Sequence, residues 1–290
     1  MVKVDSAIIL AAGLSSRFAP LSYEIPKGLV EVNGEKLIER MIRQLRENNI
    51  EKIIVVTGYM SEKYEYLKEK YNLILVKNED YLKKNNNSSI YFAKDYIKNS
   101  YICPVDNYYL ENPFNEYEDF SFYSSLYSNI YTDEWCIEYD ENEIIRKVSI
   151  GGKNSWYMAG YVFWNEEFSK KFINILDEVY ELEETYNKFW EDIYLENIDL
   201  FEMKIKKFKD NFIKEFDSLN ELRDFDSSYW RDTRSQILKD ISKKLNCEEK
   251  ELCNFKVVQE NKVPVGFNFK FNEKNYYYDY NNKTIEELKK

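Results

Sequence analysis

The chain has 290 residues, of which 44% are hydrophobic and 17% aromatic, enough to bury the core of one large α/β domain, alone or with an appendage. Its formal charge of −11 argues against a nucleic-acid surface, but one or two cations in a pocket suffice for a nucleotide ligand. With no histidine and four scattered cysteines (Cys103, Cys136, Cys247 and Cys253), Ser-His and Cys-His catalysis are removed, and neither a zinc site nor a disulfide framework is expected.

The chain opens with Ser6–Pro20, SAIILAAGLSSRFAP. Its apolar run from Ala7 to Ala12 reads as a central parallel strand covered on both faces. The run breaks at Gly13 into small polar residues and Arg17, where backbone N–H groups can meet phosphate oxygens. Ile25-Pro26-Lys27-Gly28-Leu29 and a short β segment ending at the Asn33-Gly34 turn come next. Leu37, Ile38, Met41, Ile42 and Leu45 then mark one face of a helix within Glu35–Asn48. Strands follow at Ile53–Val56, Leu73–Val76 and Tyr101–Val105. A polar helix up to about Lys70 separates the first two of these, and a shorter helix from about Ser88 to Lys98 precedes the third. This alternation predicts a Rossmann-like, mostly parallel mixed sheet with helices on both faces. Ligands of such sheets bind at the carboxyl ends of the strands, where Gly13, Gly58 and Asp106 fall.

From Phe120 to Trp164 the pattern shortens to four alternating segments, read as a mixed or antiparallel extension. Helices follow at about Asn165–Tyr180 and Tyr186–Glu196. Strands near Met203–Lys207 and Phe212–Phe216 then lead to Asp217 and another helix. Residues 228–290 read as a small α+β appendage after a domain of residues 1–227. It offers a helix with Ile237, Leu238, Ile241 and Leu245, then aromatic strands near Phe255–Val258, Val265–Phe271 and Tyr276–Tyr280. No apolar stretch reaches the length of a membrane span, and Asp5 precedes a run too short for a secretion signal, so a cytoplasmic protein without membrane contact is expected. With 26 tyrosines and 18 phenylalanines, an isolated tyrosine carries little functional signal.

LAAGLSSRFAP, IPKGLVEVNGEKLIE, VDNYY and KEFDSLNEL occur in this order and at these spacings. Together they resemble the nucleotidyltransferases of the sugar-nucleotide pyrophosphorylase type. Within these the chain is most similar to the CTP:phosphocholine cytidylyltransferases of bacterial surface-decoration pathways, over about Ala7 to Phe225. VTGYMSEKYEYLKEKYN and NNNSSIYFAKDYI match that subfamily too. The opening signature of the family is LAAGxGxR, and here Ser15 replaces its second glycine. A serine presents its N–H there as long as its φ stays negative.

The resemblance implies transfer of CMP from CTP to phosphocholine, or to a close phosphoamine such as phosphoethanolamine, its N-methylated forms or 2-aminoethylphosphonate, with release of pyrophosphate. A phosphate monoester already carries its attacking oxygen as an anion, so no general base is required, which suits a chain without histidine. Charge compensation and in-line positioning are required instead. The resemblance assigns Arg17 to the β- and γ-phosphates and Lys27 to the α-phosphate and the incoming phosphate. It assigns Asp106 and Asp217 to Mg²⁺, an ion that favours hard oxygen ligands. Asp217 has an alternative, since it or Ser218 can cap the following helix, with Ser218 and Glu221 as a capping box. Nucleotide recognition falls to Ala11, Ala12, Gly13 and Ser15 in the first loop and to Asn86 and Ser89.

An ammonium acceptor needs aromatic faces and a carboxylate. Trp135 in DEW and Trp190 in FWED match tryptophans of the phosphocholine enzymes, with Glu191 and Asp192 beside the second, and Tyr161 either flanks this pocket or packs the core. Two other readings stand beside this one. A sugar-1-phosphate nucleotidyltransferase predicts hydroxyl-reading polar residues where the tryptophans lie. A non-catalytic nucleotide-binding module is motivated by Ser15 and the tail. The tail, ending in FNFKFNEKNYYYDY, resembles the start of a choline-kinase N-lobe. The chain stops before any catalytic loop, so no kinase activity is expected, and the appendage is either a packing cap or an oligomer surface, with a homodimer as the assembly.

Overall fold

Strand β1, Ser6–Ala11, is buried except at the half-buried Leu10, because Ala7, Ile8 and Ile9 give it two apolar faces. The computed structural model describes residues 1–261 and 263–288. Lys262, Lys289 and Lys290, part of the expected appendage, lie outside the described residues. The chain forms two compact units, one of Met1–Gly13 with Ile38–Glu215, the other of Leu14–Leu37 with the residues from Phe216 onward.

In the first unit, β1 is followed by α1 (Leu37–Glu47), β2 (Ile53–Thr57), α2 (Tyr66–Tyr71), β3 (Ile74–Lys77), α3 (Asn87–Ala93) and β4 (Ser100–Pro104). The apolar stripe of α1 is buried, with Leu37, Ile38, Met41, Ile42 and Leu45 all in the core. The antiparallel extension comprises β5 (Phe122–Ser128), β6 (Thr132–Tyr139), β7 (Ile145–Gly152) and β8 (Ser155–Trp164). Helices α4 (Glu166–Val179) and α5 (Trp190–Glu196), strand β9 (Lys204–Lys207) and two short strand pairs, Val2–Lys3 with Tyr117–Glu118 and Asn107–Tyr109 with Ile213–Glu215, also belong to the unit. The strands form one sheet in the order β7-β6-β8-β4-β1-β2-β3, with β5 beside β8 and β9 beside β5. Strands β4, β1, β2 and β3 are parallel. Here the chain steps outward from β1 to β3 and then returns to the other side of β1. The carboxyl ends of β1 and β4 therefore flank the point where strand order reverses, the usual crevice of such sheets.

The expected polar helix is broken into a 3₁₀ turn, Ser61–Tyr64, and the short α2. Met60, with φ 50°, enters the turn in a left-handed conformation that a continuous helix cannot contain.

The second unit contains α6 (Leu219–Phe225), α7 (Gln236–Leu245) and a four-stranded antiparallel sheet. Its strands are β10 (Cys253–Glu260), β11 (Val263–Phe271), β12 (Lys274–Asp279) and β13 (Thr284–Leu288). Phe267, Phe269, Tyr276 and Tyr278 alternate onto its buried face. Two cross-strand pairs set the register, Phe267 with Tyr278 (5.2 Å between ring centres) and Phe269 with Tyr276 (5.3 Å). Each buried aromatic ring contributes roughly 2 kcal/mol. Strand β13 was not legible as a strand because TIEEL sets two adjacent glutamates between its only apolar residues, Ile285 and Leu288, and shows no alternation. It forms as a charged edge strand, with Lys274 Nζ 2.9 Å from Glu287 across the ladder.

Candidate active site

At the carboxyl end of the parallel sheet, Ala11 and Ala12 are buried and Gly13 is exposed. The loop after β2 reaches back, with Tyr59 N–H donating to the Ala12 carbonyl at 3.1 Å. This approach requires glycine at Gly58, since a Cβ there would lie 2.8 Å from that carbonyl and 2.7 Å from the Tyr81 ring. Gly13 is different: a Cβ there would meet nothing within 4 Å, so the packing of the chain itself does not demand glycine. Asp106 stands two residues beyond β4, half-buried, accepting from Asn107 Nδ2 at 3.3 Å. The adjacent Val105 N–H donates to Leu10 at 3.2 Å and locks this loop to β1.

The second unit assembles three further sequence-predicted residues. Pro26 is extended, and a single 3₁₀ turn, Lys27–Leu29, folds the lysine inward until it is only 5% exposed. A buried ammonium needs a partner. Asp217 Oδ1 lies 3.2 Å from Lys27 Nζ, and Asp217 Oδ2 lies 2.9 Å from Arg17 Nη1. The Lys27 ammonium also faces the Phe18 ring, 5.9 Å from its centre. Arg17 is 76% exposed, so its pair with Asp217 is weak and easily exchanged for another anion.

Asp217 does not cap the helix that follows. Ser218 does, accepting from Glu221 N–H at 3.2 Å while Glu221 Oε2 accepts from Ser218 N–H at 3.0 Å and Asp217 N–H at 2.6 Å. The Asp217 carboxylate is thereby left to the two cations. With two basic side chains on one carboxylate, the constellation carries local positive charge and suits a polyanionic ligand. For a divalent cation, each Asp217 oxygen is a hard donor that keeps a second lone pair after its ion pair, so the donor chemistry fits. Among the described residues no cluster of three or more metal-ligating side chains occurs.

Ser15 corrects an expectation. Its φ is +49° and ψ +40°, so it does not keep the negative φ under which serine was expected to serve. It occupies the left-handed region that glycine enters without cost, at a penalty of about 1 kcal/mol. Ser15→Gly is expected to be neutral to mildly stabilising, by up to about 1 kcal/mol in urea unfolding, without loss of turnover. Destabilisation beyond that range would show that the serine side chain holds the turn.

The residues expected around the acceptor divide into two groups. Trp190, only 3% exposed, packs between Tyr123, Trp164 and Phe172, and Tyr161 is fully buried with its hydroxyl donating to Pro113 at 2.9 Å. Both rings belong to the core, because α4 and the aromatic cluster around Tyr101 cover their faces. Asp192 accepts from Phe189 N–H at 2.7 Å and caps α5. Trp135, by contrast, is half-buried on β6 and meets the exposed ring of Phe189 edge to face, 6.1 Å between centres.

Glu191, the second residue of α5 and two positions after Phe189, accepts from Tyr123 Oη and Asn86 Nδ2, each at 3.2 Å. Burial raises its carboxyl from the usual 4.5 to about 7, against the lowering pull of its own N–H, Asn86 and Tyr123. Sequence reasoning missed Phe189 and Tyr123; the abundance of aromatics hid both.

Asn86 is placed otherwise than expected. Its amide joins Glu191 to the start of α5, with Oδ1 accepting from Trp190 N–H at 2.7 Å. Ser89 is buried and accepts from Asn78 Nδ2 at 3.1 Å. Neither side chain stands open to read a base. The asparagine run instead stitches α3 to residues 185–190, since Asn85 and Asn87 donate to the carbonyls of Asn187 and Thr185.

The raised Glu191 has a sign that can be checked. The unfolded chain releases this proton near 4.5 and the folded chain near 7, so the stabilisation of the neutral form is complete below 4.5 and lost as pH rises through 7. Glu191→Gln is expected to remove that decline, about 2 to 3 kcal/mol in urea unfolding between those pH values. An unchanged slope would place the titration elsewhere.

Comparison with known proteins places the chain among nucleotidyltransferases. Residues 7–114 match the MobA-like NTP transferase domain. The choline-phosphate cytidylyltransferase of Streptococcus pneumoniae is 35% identical over 217 residues, covering 75% of this chain and 95% of that protein. The 2-aminoethylphosphonate cytidylyltransferase of Lancefieldella rimae is 34% identical, covering 77% of this chain and 93% of that protein. The solved structure of the Streptococcus pneumoniae CTP:phosphocholine cytidylyltransferase superposes with a TM-score of 0.74 at 34% identity, covering 78% of this chain and 99% of that one.

Proposed function

This chain belongs to the choline-phosphate cytidylyltransferase family of nucleotidyltransferases, and on that premise we propose that it transfers the cytidylyl group of CTP to phosphocholine. An oxyanion of the acceptor phosphate attacks the α-phosphorus of CTP. The new P–O bond forms as the bond to pyrophosphate breaks, and pyrophosphate leaves with the electron pair. No proton needs to be removed from the acceptor.

The observation that carries this reading is the pairing of buried Lys27 and exposed Arg17 on Asp217, held clear of the helix cap. Arg17 exchanges Asp217 for the β- and γ-phosphates, and Lys27 neutralises charge on the α-phosphate as it develops. Gly13, whose missing side chain no neighbour demands, leaves room for the nucleotide at the end of β1. A divalent cation, Mg²⁺ by its preference for hard oxygens, supplies further charge neutralisation, with Asp106 and Asp217 as its proposed carboxylates. Among the described residues no helix is long and apolar enough to cross a membrane, and a cytoplasmic setting is part of this proposal.

One observation favours a second reading for the acceptor. With Trp190 in the core, the acceptor-side aromatic surface is reduced to Trp135 and its partner Phe189, which lies two positions before Glu191, rather than a full cage. A carboxylate with few rings suits a primary ammonium, as in 2-aminoethylphosphonate, since rings favour quaternary groups and hydrogen-bond acceptors favour N–H donors. Pyrophosphate release measured with CTP and UTP against phosphocholine, phosphoethanolamine, 2-aminoethylphosphonate and glucose 1-phosphate decides between these. CTP with an amine is the expected pair, and turnover confined to glucose 1-phosphate would overturn the proposal.

A further inference from the structure

The second unit contains many polar ties that a mere packing cap does not need. Three groups on the segment carrying Arg17 and Lys27 are bound by the C-terminal residues. Tyr23 donates through its hydroxyl to the Gly266 carbonyl at 2.5 Å, while Tyr280 Oη donates to the Tyr23 carbonyl at 2.9 Å. The Tyr23 ring stacks on Tyr280, 4.7 Å between centres. Glu24 binds the amino end of α7, accepting from Gln236 N–H at 2.8 Å, from Ile237 N–H at 3.0 Å and from the Ser235 hydroxyl at 2.5 Å. Tyr229 Oη donates to the Glu31 carbonyl at 2.6 Å. The Ser16–Phe18 turn itself lies against β10.

The Asp217 side is tied as firmly. Arg223, on the helix that Ser218 caps, is buried and donates to the carbonyls of Leu252 at 3.0 Å and Glu249 at 2.9 Å. Its guanidinium also covers the Trp230 ring, 4.8 Å from its centre. Both arms of the Arg17–Lys27–Asp217 constellation therefore rest on one support, the residues from Asp226 to Tyr280.

We propose that this C-terminal segment holds the Arg17–Lys27–Asp217 constellation in its reactive arrangement, with Tyr23, Glu24 and Arg223 as positioning residues. The inference rests on the cytidylyl-transfer reading for its catalytic consequence, though not for the clamp itself. Glu24 is the most telling member. Its carboxylate caps a helix across more than two hundred positions of sequence, so the loop of Lys27 is anchored where α7 begins. About a quarter of this chain lies outside the match to the Streptococcus pneumoniae enzyme, which covers 75% of it.

The test uses full-length Glu24→Gln, Tyr280→Phe and their combination, each close in shape to the residue it replaces. Amide hydrogen exchange without substrates reads the clamp directly. Residues 16–29 should exchange about tenfold faster in the double variant while the β1, β2 and β4 amides stay unchanged. In steady-state kinetics kcat should fall about tenfold with the acceptor KM within about twofold, since a misplacement of about 1 Å can cost up to ~100-fold. Restoring either residue in the double variant should recover part of both effects. Unchanged exchange over residues 16–29 overturns the proposal, and so does faster exchange with unchanged kcat. General loss of protection throughout the first unit also counts against it, because the ties would then be global rather than local. If the unaltered protein releases no pyrophosphate with any acceptor, the functional reading fails, and the exchange data still decide whether the clamp exists.

Discussion

Lys27→Met is expected to lower kcat about a thousandfold while leaving a folded protein, because removing one preorganised donor from a developing anion costs a factor of about 100 to 1,000. The lysine is 5% exposed, and its ammonium is directed at Asp217. Methionine has similar length and no charge, so the pocket stays filled. Asp217 retains Arg17 as a partner, which limits the penalty of leaving a carboxylate unpaired. Stability should therefore change little, while charge compensation at the α-phosphate disappears. Lys27→Arg should not rescue activity, since a planar fork cannot occupy the space of a compact ammonium. Turnover of Lys27→Met within about tenfold of the unaltered enzyme would remove Lys27 from the chemistry.

Asp106→Asn has the second largest expected effect, a loss of about a hundredfold or more in kcat together with a higher Mg²⁺ concentration for half-maximal rate. Asparagine retains the shape and one oxygen but removes the charge. Asp106 is half-buried at the point where strand order reverses, and the neighbouring Val105 fixes its loop to β1. Titrating Mg²⁺ and Mn²⁺ against rate in both proteins checks this. Equal metal dependence in the two would show that Asp106 binds no cation that matters to turnover. Activity retained in full would support a module in which this carboxylate has no catalytic part.

Some of this was legible residue by residue. The β1 run Ala7 to Ala12 reads as a strand buried on both faces, and the structure places strand Ser6–Ala11 in the middle of the parallel sheet. Its neighbours, expected at Ile53–Val56 and Tyr101–Val105, are strands Ile53–Thr57 and Ser100–Pro104 beside it. Ser218 and Glu221 announced a helix start through spacing alone, and they form that capping box. Other residues could not be sorted. Trp135 and Trp190 look alike in sequence, each beside acids, yet one is half-buried and the other lies in the core. The difference arises from packing, since Phe172 of α4 and the more distant Tyr123 of β5 both meet the Trp190 ring. Ser15 gave no sign of a positive φ, because backbone sign depends on how the loop must turn to bring Arg17 to Asp217.

Sequence by itself determined the fold class, the family and the residue types proposed to face the phosphates. Apolar periodicity and local motifs are properties of neighbouring residues, and these survive without knowledge of the rest of the chain. Only the tertiary structure decided that Lys27 is buried rather than exposed, that Asp217 is released from capping, and that Asn86 serves Glu191. It alone showed that the C-terminal segment grips the Arg17–Lys27 loop through Tyr23 and Glu24. The release of Asp217 follows from the local Ser218–Glu221 capping box, whereas the others depend on contacts between residues roughly one to two hundred positions apart. No local pattern encodes such contacts, because burial and pairing are set by whichever distant element arrives to cover a side chain.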